Sequence, residues 1–156
     1  TGDVQDYEWF LNKYTNATTP QERIRMLYAL AEFNSEELME RTTAFAFTDA
    51  VKTQDAPFLL NRCIANRHHG VVAWAAVRKN WVKANKEFPG NTIVRMISSV
   101  TTLNSESLEA EVQAFFSEHT IPQATKTLDQ VLERQRVNVA LRKREENSLA
   151  KTLMGH

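Results

Sequence analysis

The chain has 156 residues, is 42% hydrophobic and 24% charged, and balances nineteen basic residues against nineteen acidic ones for a formal net charge of zero. This fits a single globular domain with a sizeable core, excludes a disordered polymer, and gives no support for non-specific attraction to nucleic acid or to an anionic membrane. A lone cysteine, Cys63, leaves no intrachain disulfide and suits the reducing cytoplasm, and no apolar run approaches the roughly 20 residues needed to cross a bilayer.

Only four glycines and four prolines interrupt the sequence. Apolar residues recur at helical spacing almost throughout, which predicts an all-α fold. A first helix is expected over Val4 to Tyr14. Thr19 can cap the next, with Pro20 where its missing N–H costs nothing and Glu22 placed to reach back in a capping box. That helix should run to about Phe33 and bury Ile24, Leu27, Tyr28 and Ala31. Asn34-Ser35-Glu36-Glu37 repeats the capping chemistry at once, and Leu38, Thr42, Phe45 and Ala46 trace the following stripe. Links this short make neighbouring helices antiparallel. Further helices are expected over Ala56 to Asn66, Gly70 to Phe88, Asn91 to Thr102, Ser105 to Ser117, and Gln123 to about Leu149, the last losing its clean stripe from Leu141 onward. Trp74, Val77, Trp81 and Phe88 fall on one helical seam, and Leu108, Val112, Phe115 and Phe116 on another; both read as structural core. No strict sequence period marks a regular repeat family, so the arrangement expected is an irregular stack of helix pairs.

Little in this chain can do chemistry. A helical zinc peptidase site needs two histidines one turn apart with a glutamate between them, and His68, His69, His119 and His156 do not supply that spacing. His68-His69-Gly70 reads as a solvated turn. There is no nucleophile elbow, no phosphate-cradling glycine loop and no C-x-x-C pair, so the chain offers no catalytic residue, no metal site and no cofactor site. Cys63 reads as a buried, inert thiol despite the adjacent Arg62. The charge of Arg142-Lys143-Arg144 is offset by Glu145 and Glu146, as on a solvated face.

Arg95 differs from these. It follows a Pro-Gly break and lies among Ile93, Val94, Met96 and Ile97, a well-packed segment. Either its stem packs while its guanidinium pairs with an acid on the next helix, such as Glu109 or Glu111, or it faces something outside the chain.

The stretches "AWAAVRKNW", "IVRMISSVT", "EVQAFFSEH" and "NVALRKRE", in that order and preceded by "PQERIRMLYAL" and "NSEELMERTTAFAFTDAVKTQD", resemble the C-terminal helical domain of the zinc aminopeptidases of the puromycin-sensitive and alanyl (aminopeptidase N-like) family. The likeness spans about residues 5 to 150. Ala140-Leu141 departs from it, standing where the family commonly has alanine-tryptophan. The resemblance implies that residues 1–156 form one helical domain, a C-terminal fragment of a larger metallo-aminopeptidase. Its fold would be an irregular right-handed superhelix of antiparallel helix pairs, similar to HEAT and armadillo stacks. The zinc and the catalytic glutamate would belong to an upstream catalytic domain, the partner that this domain caps. Between them would lie the cavity that holds peptide substrates. Arg95 matches an arginine common in the puromycin-sensitive branch, at the start of a helix that looks toward the cavity; with Asn91 and Thr92 at the same helix opening it becomes a candidate contact for a peptide carboxylate. A stand-alone helical scaffold that binds a protein or peptide segment is the alternative.

Overall fold

Side-chain caps start the first three helices, at Thr19 and Ser35 where the sequence places them. The computed structural model describes residues 3–154, and among these it contains nine α-helices and no strand. Asp3 opens α1 (Val4–Thr15) by accepting the Asp6 N–H at 3.0 Å. Thr19 does the same for α2 (Pro20–Ala29), taking the Glu22 N–H at 3.2 Å, and Ser35 for α3 (Glu36–Ala46), taking the Leu38 N–H at 3.2 Å. Each satisfies an amide that a helix start leaves without a partner, a gain of about 1 kcal/mol. Only this half of the expected capping box forms at Thr19.

Helix α2 tightens into a 3₁₀ turn over Leu30–Glu32, and Phe33 is already extended. Leu27 and Ala31 are buried as expected, whereas Ile24 and Tyr28 stay partly exposed. In α3, Leu38, Thr42 and Ala46 point inward together with Met39 and Thr43, while Phe45 is half-buried. The Tyr7 and Thr42 hydroxyls meet at 2.8 Å and tie α1 to α3.

Helix α4 (Ala56–Ile64) is the axle of the first compact unit. Ala56, Leu59, Leu60, Cys63 and Ile64 are each sealed from solvent. Around it pack α3, α5 (Gly70–Lys79) and α7 (Gly90–Ile97).

The single helix expected over Gly70 to Phe88 is two, α5 and α6 (Trp81–Glu87), separated at Asn80. The Asn80 side-chain amide donates to the Ala76 carbonyl at 2.9 Å, alongside its own backbone N–H at 3.1 Å. This is how asparagine competes with helical hydrogen bonding. Trp74, Val77, Trp81 and Phe88 are all buried, but along a broken path rather than one continuous helix. The helix expected to reach Thr102 likewise stops at Ile97 and continues as a 3₁₀ turn over Ser98–Thr102. There Asn61 Oδ1 accepts from the Ser98 hydroxyl at 3.0 Å and the Ser99 N–H at 3.1 Å.

The chain divides between Ser99 and Val100 into two compact units. The second holds α8 (Glu106–Glu118), capped by Ser105, a 3₁₀ turn over Pro122–Ala124, and α9 (Thr125–Met154). Val112 and Phe116 are buried, whereas Leu108 and Phe115 are only partly covered. Phe115 instead stacks on the His119 ring at 4.1 Å. Helix α9 buries Leu128, Gln135 and Val139, then runs exposed from Ala140 to Met154, past the end expected near Leu149.

Candidate functional site

The three residues singled out for ligand contact all lie on α7, in different settings. Asn91 is exposed in the first turn. Thr92 is buried, and its hydroxyl donates to the Pro89 carbonyl at 2.6 Å, pinning the helix start from within. Arg95 is exposed and stands in the last turn, so the free amides of the helix start are not beside it. Within the first unit no carboxylate forms an ion pair with it, and its backbone carbonyl accepts the Ser98 hydroxyl at 2.9 Å. What Arg95 offers is a charge on a short, well-anchored helix whose neighbours Ile93, Val94, Met96 and Ile97 are buried.

The His68-His69 turn is more tightly built than its sequence indicates. Asn66 donates through Nδ2 to the carbonyls of Ala31 at 2.8 Å and Phe33 at 3.1 Å. Its Oδ1 accepts the backbone N–H groups of His68 and His69, each at 3.0 Å. His69 Nε2 sits 2.9 Å from Asn34 Oδ1. His68 is exposed, and His156 lies outside the described residues. Among the described residues no three His, Cys, Asp or Glu side chains converge as a metal would require. The described residues therefore do not fit a zinc ion.

Cys63 is fully buried in α4. Burial pushes its thiol far above the ordinary value, and the nearby Glu32 charge adds to the effect. Since the thiolate is the nucleophile, iodoacetamide at pH 8 should leave the folded chain unlabelled and modify it stoichiometrically in denaturant, as read by intact mass. Rapid labelling of the folded chain would contradict this environment.

An open apolar groove of about 700 Å³ runs along the flank of α2. Pro20, Ile24, Arg25, Tyr28, Ala29 and Glu32 line it, together with Arg62 of α4. The Arg62 guanidinium lies over the Tyr28 ring at 4.4 Å. Burial raises the Tyr28 hydroxyl above its ordinary range, the Asp55 charge adding to it and Arg62 opposing. The sequence could have pointed here only through the arginines at the margin of the α2 stripe.

In the second unit, α9 presents a polar row that sequence reasoning missed. Gln135 is completely buried and donates to the Leu103 carbonyl at 2.9 Å, and Asn138 donates to the Thr101 carbonyl at 2.8 Å. Arg142 reaches Asn104 Oδ1 at 2.8 Å and Lys143 reaches Glu106 at 2.8 Å. The basic cluster thus fastens a connecting segment as well as meeting Glu146 along its own helix at 3.0 Å.

No helix among the described residues is long and apolar enough to cross a membrane. A family model described as the ERAP1-like C-terminal domain matches residues 1–137. Aminopeptidase M1-D of Oryza sativa subsp. japonica is 31% identical over 134 residues, covering 85% of this chain and 15% of that protein. Aminopeptidase M1-B from the same plant is 30% identical over 157 residues, covering 98% of this chain and 18% of that protein. The alanine/arginine aminopeptidase of Saccharomyces cerevisiae is 27% identical over 158 residues, covering 99% and 18% respectively. The chain therefore spans less than a fifth of the length of these relatives.

Proposed function

Because the chain belongs to the ERAP1-like C-terminal domain family, we propose that it serves as the non-catalytic C-terminal part of a cytoplasmic zinc aminopeptidase, walling the cavity in which peptides lie. The observation that carries this reading is the family match over residues 1–137, on a chain whose described residues are helical and hold no metal-binding cluster. Zinc and the general base fall to an upstream catalytic portion, the partner of this chain within one polypeptide. A reducing compartment suits a chain whose one cysteine, Cys63, is buried and free.

Sequencing the reading frame upstream of Thr1 tests the assignment. An H-E-x-x-H motif followed by a distal glutamate is expected there. A frame that opens near Thr1 would replace this reading with that of a stand-alone scaffold holding a peptide or protein segment.

Within this function Arg95 is the residue proposed to meet the carboxylate of a bound peptide, with Asn91 beside it on α7 and Thr92 shaping the helix start. The support is its exposure and the lack of an ion pair within its unit. An exposed charge pair is worth about 1 kcal/mol, so Arg95→Ala in the complete enzyme should lower kcat/KM for peptides with a free carboxyl end by roughly threefold to tenfold. Turnover of a small aminoacyl-anilide, which has no such carboxylate, should not change. Equal losses on both substrates would make Arg95 a structural residue.

A further inference from the structure

The groove on α2 combines three properties that the proposed aminopeptidase role does not use. Its lining is largely apolar, with Pro20, Ile24, Tyr28 and Ala29, and its volume of about 700 Å³ accommodates a large side chain with flanking backbone. Its charged lining is mostly basic. Arg25 and Arg62 line it with Glu32, and a recess of about 290 Å³ that shares Arg62 and Glu32 adds Arg67. The two linings together hold three arginines and one glutamate, on a chain whose net charge is zero.

The third property is preorganisation. The cation–π contact that places the Arg62 guanidinium 4.4 Å from the centre of the Tyr28 ring restrains that side chain beside the groove. Arg25, Arg62 and Arg67 form no ion pair among the described residues. Guanidinium groups without ion pairs beside apolar side chains suit a carboxylate carried next to an apolar residue. Nucleic acid would demand a longer basic track and gains nothing from aliphatic lining.

We propose that this groove docks an acidic linear segment of a partner protein, one that seats an aromatic or aliphatic side chain on Ile24 and Tyr28 while a neighbouring Asp or Glu is gripped by Arg62 and Arg25. The segment is recognised through internal carboxylates, so a free peptide end is not required. The proposal is independent of the aminopeptidase reading and stands or falls without it.

The test uses residues 1–156 and a fluorescein-labelled, carboxamide-ended octapeptide alternating glutamate with leucine and phenylalanine. Anisotropy should rise to saturation and weaken as salt is raised from about 50 to 300 mM. Replacing the probe's glutamates by glutamine, or introducing Arg25→Glu, should each weaken binding at least about tenfold, the loss of a charge-assisted contact and, for the reversal, the addition of a like charge. Arg25 is exposed with no internal partner, so that variant should fold, as circular dichroism will show; Lys86→Glu, a similar change far along the sequence, should bind as the parent does. The proposal is overturned if the acidic probe fails to saturate, if the glutamine probe binds equally well, or if Lys86→Glu weakens binding as much as Arg25→Glu. Sedimentation that shows a dimer of the chain abolished by Arg25→Glu would likewise overturn it, giving the groove to a second copy.

Discussion

Trp74→Ala is expected to remove about 3–5 kcal/mol of folding stability, the range for emptying a large aromatic from a packed interior. Trp74 is wholly inaccessible to solvent and heads the fully buried side chains of the chain by volume. Helix α5, which carries it, packs against both α3 and α4, and the Arg78 guanidinium lies over the indole at 5.5 Å. Urea unfolding followed by far-ultraviolet circular dichroism measures the effect. Trp74→Phe, which keeps most of the apolar volume, should lose less than half as much. Trp9 gives the contrast: it is 52% exposed, and Trp9→Ala should stay within about 0.5 kcal/mol of the parent. Similar losses at the two positions would contradict the burial of Trp74 and the exposure of Trp9.

Asn66→Leu should cost about 2–3 kcal/mol although it keeps the branching and the number of heavy atoms of the side chain. The amide of Asn66 makes four hydrogen bonds to backbone, two given to Ala31 and Phe33 and two taken from His68 and His69. Each contributes about 1 kcal/mol net, less where water can replace it, and the carbonyl of buried Ala31 is poorly placed to find water. Asn66→Asp retains the accepting half and loses the donating half, so it should fall between the parent and Asn66→Leu. Amide exchange at His68 and His69 separates the two halves: it should accelerate in Asn66→Leu and remain slow in Asn66→Asp. If Asn66→Leu is as stable as the parent, the loop is not held by this side chain.

The all-α fold and most helix starts were legible because they depend on local chemistry. A threonine or serine before an acidic first turn, as at Thr19, Ser35 and Ser105, states its role within four residues, and the family likeness carried by the stretches around Trp74, Arg95 and Phe115 is matched by the family model over residues 1–137. The breaks were harder. At Asn80 and after Ile97 the apolar pattern continues across the interruption, and what stops the helix is a polar side chain claiming a carbonyl or a serine. Such competition has no periodicity to betray it.

The candidate contacts were less legible than the fold. The start of α7 falls within one residue of the expected Asn91, but the helix ends at Ile97 instead of Thr102, so Arg95 stands in the last turn rather than near the opening. Thr92 is buried, its hydroxyl given to the Pro89 carbonyl. Asn66 and Gln135, which hold carbonyls of distant segments, carry no charge and belong to no motif, so nothing in the sequence drew attention to them. The carbonyls to which they donate, those of Ala31, Phe33 and Leu103, lie more than thirty positions away in sequence, and only the folded chain brings them near.

Among the described residues, Lys143 is the last of α9 with a tie to another element. At 1.5 Å per residue, the stretch from 144 to 154 extends as a rod of about 16 Å supported only from within its own helix, through the backbone, the Arg142–Glu146 pair and the Thr152 hydroxyl on the Ser148 carbonyl. On heating, this mast should uncoil ahead of everything else, so the earliest decline in ellipticity reports its fraying and not the melting of the interior. A dye or tether placed near Met154 would tumble with the mast and be blind to the state of the body beneath it.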